Sequence, residues 1–179
     1  MEATDLFTRE VSASSYYAPN NESPEKAFGL SGTSFRQEDA ANQWTTAVPS
    51  YVDGAFSGNY SCCHTIVDGN HIAGEWLQVR SLQPHIVAAF SIRANHLNPA
   101  RAPAEVVLAG SNSGSEWTLL HSETCLEWAP GQERVFQITQ PRPHQPLRYL
   151  RLIVPRNGGD GWLTIDKLRF FSDLPTVAI

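Results

Sequence analysis

Residues 148–154, Arg-Tyr-Leu-Arg-Leu-Ile-Val, decide the fold class. Leu150, Leu152 and Val154 alternate with Arg151, so the apolar side chains point to one side of an extended chain and the arginine to the other. This period of two is typical of a β-strand with one buried face. The segment therefore predicts a strand within a sheet, with Arg151 either paired or lying on the sheet face.

Short apolar runs recur along the rest of the chain, between 12 glycines and 12 prolines that are spread evenly. Runs at this spacing indicate an all-β sandwich or barrel, and no amphipathic helix longer than about two turns is evident. Ser23 and Pro24 suit the N-cap and first position of one short helix. The further strands are expected over residues 75–80, 85–93, 104–109, 117–121, 134–138 and 163–171, the last with a kink.

The segment from residue 29 to residue 74 is rich in Gly, Ser, Asn and Tyr and lacks long apolar runs. We expect long loops there, with one or two short strands, and long loops on a rigid scaffold commonly carry binding sites. Trp76, on a predicted central strand, is expected in the core, and a platform for stacking a sugar is the alternative. The proline-rich residues 140–146 predict a stiff loop between strands, and a polyproline segment that docks a partner is the alternative.

The length, composition and charge of the chain argue against several classes of protein. The 179 residues and 41% hydrophobic content predict one domain over residues 1–179, with its core over about 11–171. A net charge of -5 argues against a nucleic-acid partner, and no apolar run is long enough for membrane insertion. The first residues do not resemble a secretory signal, so we expect an intracellular or virion-associated protein.

The cysteine count is odd, because Cys62, Cys63 and Cys125 are the only three. Adjacent cysteines pair only with strained geometry, although one of them could reach the third. Without a secretory signal, three reduced thiols are expected. Cys62-Cys63-His64 suggests zinc, but no second Cys/His pair stands at finger-like spacing.

Several short segments resemble, in order, the discoidin family of coagulation-factor type C and galactose-binding-like domains. The resemblance covers about residues 11–171, and the order and spacing of the segments are more specific than any one of them. These segments are residues 11–16, 24–29, Trp44, Tyr60, 74–79, 109–117, 149–152 and 165–170.

The resemblance implies an eight-stranded jelly-roll β-sandwich with long loops at one end. It also implies a non-catalytic role, because most members bind sugars, lipid head groups or proteins through those loops. Residues 74–78 and 44–46 are most similar to versions in structural proteins of large DNA viruses, and single-domain members also occur in ciliary complexes and ubiquitin-ligase assemblies.

The family often holds calcium with two carboxylates, but Gly29 and Lys167 stand where they would be. Calcium needs several hard oxygen ligands, so we expect no calcium and no other cofactor. The terminal cysteine pair of secreted members is absent as well.

No histidine lies in a hydrolase, zinc-protease or phosphate-binding motif, so we expect no catalysis. Proteins commonly recognise sugars with an aromatic ring face that lies beside planar hydrogen-bonding groups. The candidate ligand-binding residues are Trp44, Tyr60, Arg93, His96, Arg101 and Trp162.

Two functions follow as hypotheses. The first is a structural component of a larger complex, of virion or ciliary type, that docks other protein chains through its loops and tails. The alternative is a lectin-like protein that binds a glycan at the loop end of the sandwich.

Overall fold

The computed structural model describes residues 9–29, 43–138 and 145–172. In this part of the chain the only α-helix is α1 (Pro24–Ala27), and it begins at Pro24 with Ser23 as N-cap, as predicted. The strands are β1 (Arg9–Ala13), β2 (Trp44–Thr45), β3 (Tyr51–Val52), β4 (Ala55–Phe56), β5 (His64–Val67), β6 (Asn70–Ala73), β7 (Glu75–His85), β8 (Ala89–Ala94), β9 (Pro103–Ser111), β10 (Thr118–Glu123), β11 (Glu133–Gln137), β12 (Leu147–Asn157) and β13 (Thr164–Phe171).

Eight of these strands, β1 and β7 to β13, have five or more residues. They form two antiparallel sheets, so the predicted all-β, eight-stranded sandwich is confirmed. No described helix is long and apolar enough to cross a membrane.

The larger sheet has β12 at its centre. The strand order is β10-β9-β12-β7-β1, and the short β4-β3 pair joins where Arg156 lies opposite Ala55. Leu152 lies opposite Leu77 of β7 on one side and Leu108 of β9 on the other. Residues 148–154, whose alternation predicted a strand within a sheet, therefore lie in the middle of this sheet.

The smaller sheet has the order β11-β8-β13-β2. The pairing of β13 with β8 shifts between Ile165 and Lys167, which is the expected kink. Between the two sheets, Leu77 and Leu152 of the larger pack with Phe90, Ile92 and Leu168 of the smaller, all buried.

Trp76 does not lie between the sheets, so that prediction was wrong. Leu77 and Val79 point inward from β7, and strand alternation therefore puts Trp76 on the outer face. There the guanidinium of Arg151 lies 4.1 Å from the centroid of the Trp76 ring. The prediction for Arg151, paired or on a sheet face, is confirmed because it also bonds Gln78.

The hairpin of β5 and β6 covers this outer face. Its Val67 packs with Val107, Trp117 and Ile153 in a second, smaller apolar cluster. The described part of residues 29–74 thus holds five short strands instead of one or two, while residues 30–42 lie outside the described residues.

One other expected strand differs from the structure. The run 85–93 is divided, because β7 continues to His85 and β8 begins at Ala89. Most of the proline-rich segment 140–146 lies outside the described residues.

All three cysteines are free thiols, with Cys63 buried and Cys62 and Cys125 exposed.

Candidate functional site

Three loops meet at one end of the sandwich and enclose a cavity of about 230 Å³. They are the segment after β1, the β8–β9 connection and the β12–β13 connection. The first loop is tied to the smaller sheet, because the Tyr17 amide donates to the Thr45 carbonyl at 2.9 Å. The cavity is lined by Tyr17, Asn20, Glu22, Thr45, Arg101 and Trp162.

Two aromatic rings form one wall of the cavity. Tyr17 and Trp162 meet edge to face, with ring centroids 5.4 Å apart and planes at 86°. Both side chains are partly exposed. This contact holds two rings of different elements in one orientation and leaves apolar ring surface toward the cavity.

A paired arginine also lines the cavity. Arg101 Nε lies 3.2 Å from Asp160 Oδ1, and the same oxygen accepts from the Trp162 amide at 2.9 Å. Asp160 Oδ2 accepts from Asn98 Nδ2 at 2.9 Å. Both carboxylate oxygens are therefore occupied, and Oδ1 links the Arg101 side chain to the backbone of Trp162.

The β8–β9 loop positions Arg101 by a short 3-10 turn, Pro99–Arg101. Asn98 caps this turn, because its side chain accepts from the Ala100 amide. Asn95 Oδ1 in turn accepts from the Asn98 amide at 2.7 Å. The sequence Asn-Pro therefore supplies a cap followed by a residue whose φ already suits the turn.

The β12–β13 loop is organised by one buried amide. Asn157 Nδ2 donates to the carbonyls of Asp160 and Trp162, each at 2.8 Å. Gly158 packs so closely that a Cβ there would lie 2.9 Å from the Ala100 backbone. The loop that carries Trp162 is therefore fitted against the loop that carries Arg101.

Glu22 supplies a carboxylate to the lining of the cavity. It is largely buried, and its Oε1 accepts from Asn20 Nδ2 at 3.3 Å. Asn21 between them adopts a left-handed conformation with φ of 51°, which asparagine tolerates well. The turn thus brings an amide and a carboxylate to one side.

Of the six residues predicted for a ligand site, the structure brings together Arg101 and Trp162. Trp44 is completely buried, and its Nε1 donates to the Ser15 carbonyl. Its ring has no face left for a ligand, which removes it from the candidate set. Tyr60 is exposed but does not line the cavity.

Arg93 and His96 also lie outside the lining. Arg93 Nε donates to the Gly131 carbonyl at 3.3 Å. His96 Nδ1 lies 3.1 Å from Asp166 Oδ2, and the His96 amide also donates to that oxygen. His96 therefore anchors the β8–β9 loop to β13 instead of facing the cavity.

Sequence reasoning missed Tyr17, Asn20 and Glu22. A usable signal was present, because the turn-forming stretch Pro19-Asn20-Asn21 follows two tyrosines after a single alanine. What the sequence alone did not reveal is that this turn lies beside residues 101 and 162.

A second cavity, of about 480 Å³, is lined in part by Gly158 and Gly159 of the β12–β13 connection. Its aromatic residue, Trp128, is already engaged: the Arg134 guanidinium lies 4.9 Å from its ring centroid. Trp128 Nε1 donates to the Pro103 carbonyl. The smaller cavity is therefore the better candidate for stacking a ligand.

The residues at the family's calcium position do not suit a hard dication. Gly29 has no side chain, and Lys167 brings an ammonium group whose pKa is lowered by burial and then by Arg169. In the described ranges, no group of three or more His, Cys, Asp or Glu side chains is arranged to hold a metal ion. The expected absence of calcium stays a prediction.

No family model and no curated protein sequence matches the chain. Several solved structures, in contrast, are similar to it in fold. The family 32 carbohydrate-binding module of NanJ from Clostridium perfringens, in complex with galactose, has 13% identity and a TM-score of 0.58, over 91% of this chain and 93% of that chain.

Two further structures are similar. An F-lectin (fucolectin) from striped bass serum, Morone saxatilis, has 16% identity and a TM-score of 0.58, over 91% of this chain and 46% of that chain. An F5/8 type C domain from Bacteroides fragilis has 13% identity and a TM-score of 0.59, over 92% and 91%. The chain therefore has the discoidin-like, galactose-binding-like fold; the viral or ciliary context stays a prediction.

Proposed function

We propose that the chain is a carbohydrate-binding module that holds one neutral sugar unit in the cavity between Tyr17, Trp162 and Arg101. The observation that carries this proposal is the pairing of a partly exposed aromatic wall with hydrogen-bonding groups that are already held in place. A sugar ring has an apolar face for the indole and hydroxyl groups for the polar side.

The charges favour an uncharged ligand. Arg101 is paired with Asp160, so its positive charge is balanced and its remaining N–H groups are free to donate to hydroxyl oxygens. Glu22 accepts hydrogen bonds from hydroxyl groups and would repel a ligand carboxylate. A volume near 230 Å³ lies below the roughly 300–1,000 Å³ of pockets for drug-sized ligands and suits a single hexose ring.

The fold supports the same class of ligand, because the similar structures include a carbohydrate-binding module in complex with galactose. We propose galactose-type hexoses as the first ligands to test. Binding without turnover is proposed as well, because Glu22 is the one carboxylate among the described residues that line the cavity, whereas glycoside hydrolysis ordinarily uses a pair of carboxyl groups.

The test is a glycan array followed by isothermal titration calorimetry with galactose and with the best glycan of the array. We expect Trp162→Ala and Arg101→Ala each to weaken binding by roughly tenfold or more. Tyr60→Ala and Arg93→Ala are matched controls outside the cavity and should bind like the parent chain. No binding to any glycan, or full binding by Trp162→Ala, would overturn the proposal.

Docking onto protein chains of a larger assembly is a second proposal, supported by one observation. Val52, Ile66, Leu82 and Leu97 are large apolar side chains that remain between 59% and 72% exposed. Crosslinking mass spectrometry in a native extract tests it: crosslinks from these surfaces to the same protein partner support docking, and a chain without protein crosslinks contradicts it.

A further inference from the structure

Two exposed histidines lie side by side on the β5–β6 hairpin, away from the residues that line the proposed sugar cavity. His64 lies opposite Ala73, and His71 lies opposite Ile66, so the two histidines occupy diagonal positions of one face. Their ring centroids are 4.8 Å apart and their planes are inclined by 39°. Nothing in the carbohydrate-binding proposal uses them.

The hairpin that carries the pair is held firmly. Its two-residue turn, Asp68 and Gly69, has φ of 46° and 80°, which suits a tight antiparallel hairpin. Asp68 Oδ2 accepts from the Leu119 amide at 3.0 Å, which ties the turn to β10. Thr65, next to His64, accepts from the Arg151 guanidinium at 2.9 Å.

The separation of the rings matches that of two imidazoles on one metal ion. A histidine nitrogen binds zinc at about 2.0–2.1 Å, so each ring centroid lies roughly 3.2 Å from the ion. Two such rings at roughly 90–110° around the ion have centroids roughly 4.5–5.3 Å apart. The observed 4.8 Å lies inside this interval.

We propose that His64 and His71 form a two-histidine site for a late first-row divalent metal ion such as Ni²⁺ or Zn²⁺. Imidazole suits these ions, and neutral histidine is the commonest protein ligand for metals. The described residues place no third His, Cys, Asp or Glu side chain with the pair, so water or a ligand from outside completes the coordination. Bound metal bridges β5 and β6 and stabilises the hairpin.

The test is calorimetric titration of the tag-free, full-length chain with Ni²⁺, under reducing conditions. We expect one Ni²⁺ per chain. His64→Ala and His71→Ala should each weaken Ni²⁺ binding by roughly tenfold or more, because each variant keeps only one of the two histidine ligands. The double variant should bind Ni²⁺ only slightly more weakly than either single variant, because each single variant already lacks the two-histidine chelate.

Two control variants separate this site from other metal-binding groups. His85→Ala removes a histidine outside the hairpin, and Cys62→Ser removes the exposed thiol nearest in sequence; both should bind Ni²⁺ like the parent chain. A second measurement is the melting temperature, which excess Ni²⁺ should raise in the parent chain and not in the single variants.

Three results would overturn the proposal: undetectable Ni²⁺ binding by the parent chain, single-histidine variants that bind within about threefold of it, or loss of binding in Cys62→Ser. The histidine substitutions lie on an exposed face, so circular dichroism should show an unchanged fold.

Discussion

Arg151 shows how one residue joins two parts of the molecule. Its guanidinium lies 4.1 Å from the Trp76 ring centroid and 4.3 Å from that of Trp117. It donates to Gln78 at 2.7 Å and to Thr65 at 2.9 Å. Burial lowers the pKa of Arg151 to about 10. The two indole faces and the neutral acceptors therefore stabilise a partly desolvated cation.

Arg151→Lys should destabilise the fold. An ammonium group cannot stack flat between two indoles or make both hydrogen bonds, and it stays desolvated. We expect a loss of about 1–3 kcal/mol in the free energy of unfolding, measured by urea denaturation. Arg151→Met, which keeps an unbranched chain between the rings and removes the charge, should lose less. Equal stability of the lysine variant and the parent would contradict the stacking account.

At the scale of elements, β10 brings a histidine against the core. The His121 side chain contacts Phe90 and Phe136 at centroid distances of 5.4 and 5.8 Å. Burial lowers the pKa of His121, although Glu123, with Oε2 at 3.6 Å, acts in the opposite direction. The folded chain therefore takes up this proton less readily than the unfolded chain.

This shift predicts a loss of stability in acid. Well above pH 6.5 the histidine is neutral in both states, and as the pH falls through about 6.5 the unfolded state binds the proton first. The free energy of unfolding should therefore decrease between pH 7.5 and pH 5. In His121→Gln, which cannot titrate in this range, urea denaturation should show a smaller decrease. The same decrease in both proteins would show that His121 is not responsible.

The β12–β13 loop depends on the amide of Asn157. Asn157→Asp removes both donors to Asp160 and Trp162 while keeping the shape of the side chain. We expect a loss of about 1–3 kcal/mol in stability and weaker sugar binding, because the turn that orients Trp162 loosens. Urea denaturation and calorimetry measure the two effects.

Asn112→Asp is the matched control, since the Asn112 amide donates to Pro146 at a site that does not line the cavity. It should retain sugar binding. Asn157→Asp with unchanged affinity would show that the loop is held by other contacts.

For the whole molecule, local alternation predicted the architecture well. Leu150, Leu152 and Val154 lie in the core as expected. The prediction for Trp76 was wrong because it considered the size of the side chain and not the alternation along β7. Leu77 and Val79 point into the core, and neighbouring residues of a strand point to opposite faces of the sheet, so Trp76 points outward.

The candidate site was predictable only in part, for a physical reason. Arg101 and Trp162 lie in turn-rich loops, where aromatic and planar polar groups indicate binding. Tyr17 and Glu22 belong to a turn far away in the sequence, and only the sandwich brings it to the same cavity. Trp44, in contrast, looked similar in the sequence but is needed to fill the core.

The central claim is that a sugar stacks on Trp162, and indole N–H resonances in a ¹H–¹⁵N NMR spectrum test it most directly. The chain has 5 tryptophans, and Trp162→Phe identifies the resonance of interest by its disappearance. On titration with galactose or the best array glycan, we predict that the Trp162 indole resonance shifts and that of buried Trp44 stays in place. A spectrum in which Trp162 does not respond while another indole shifts would contradict the account.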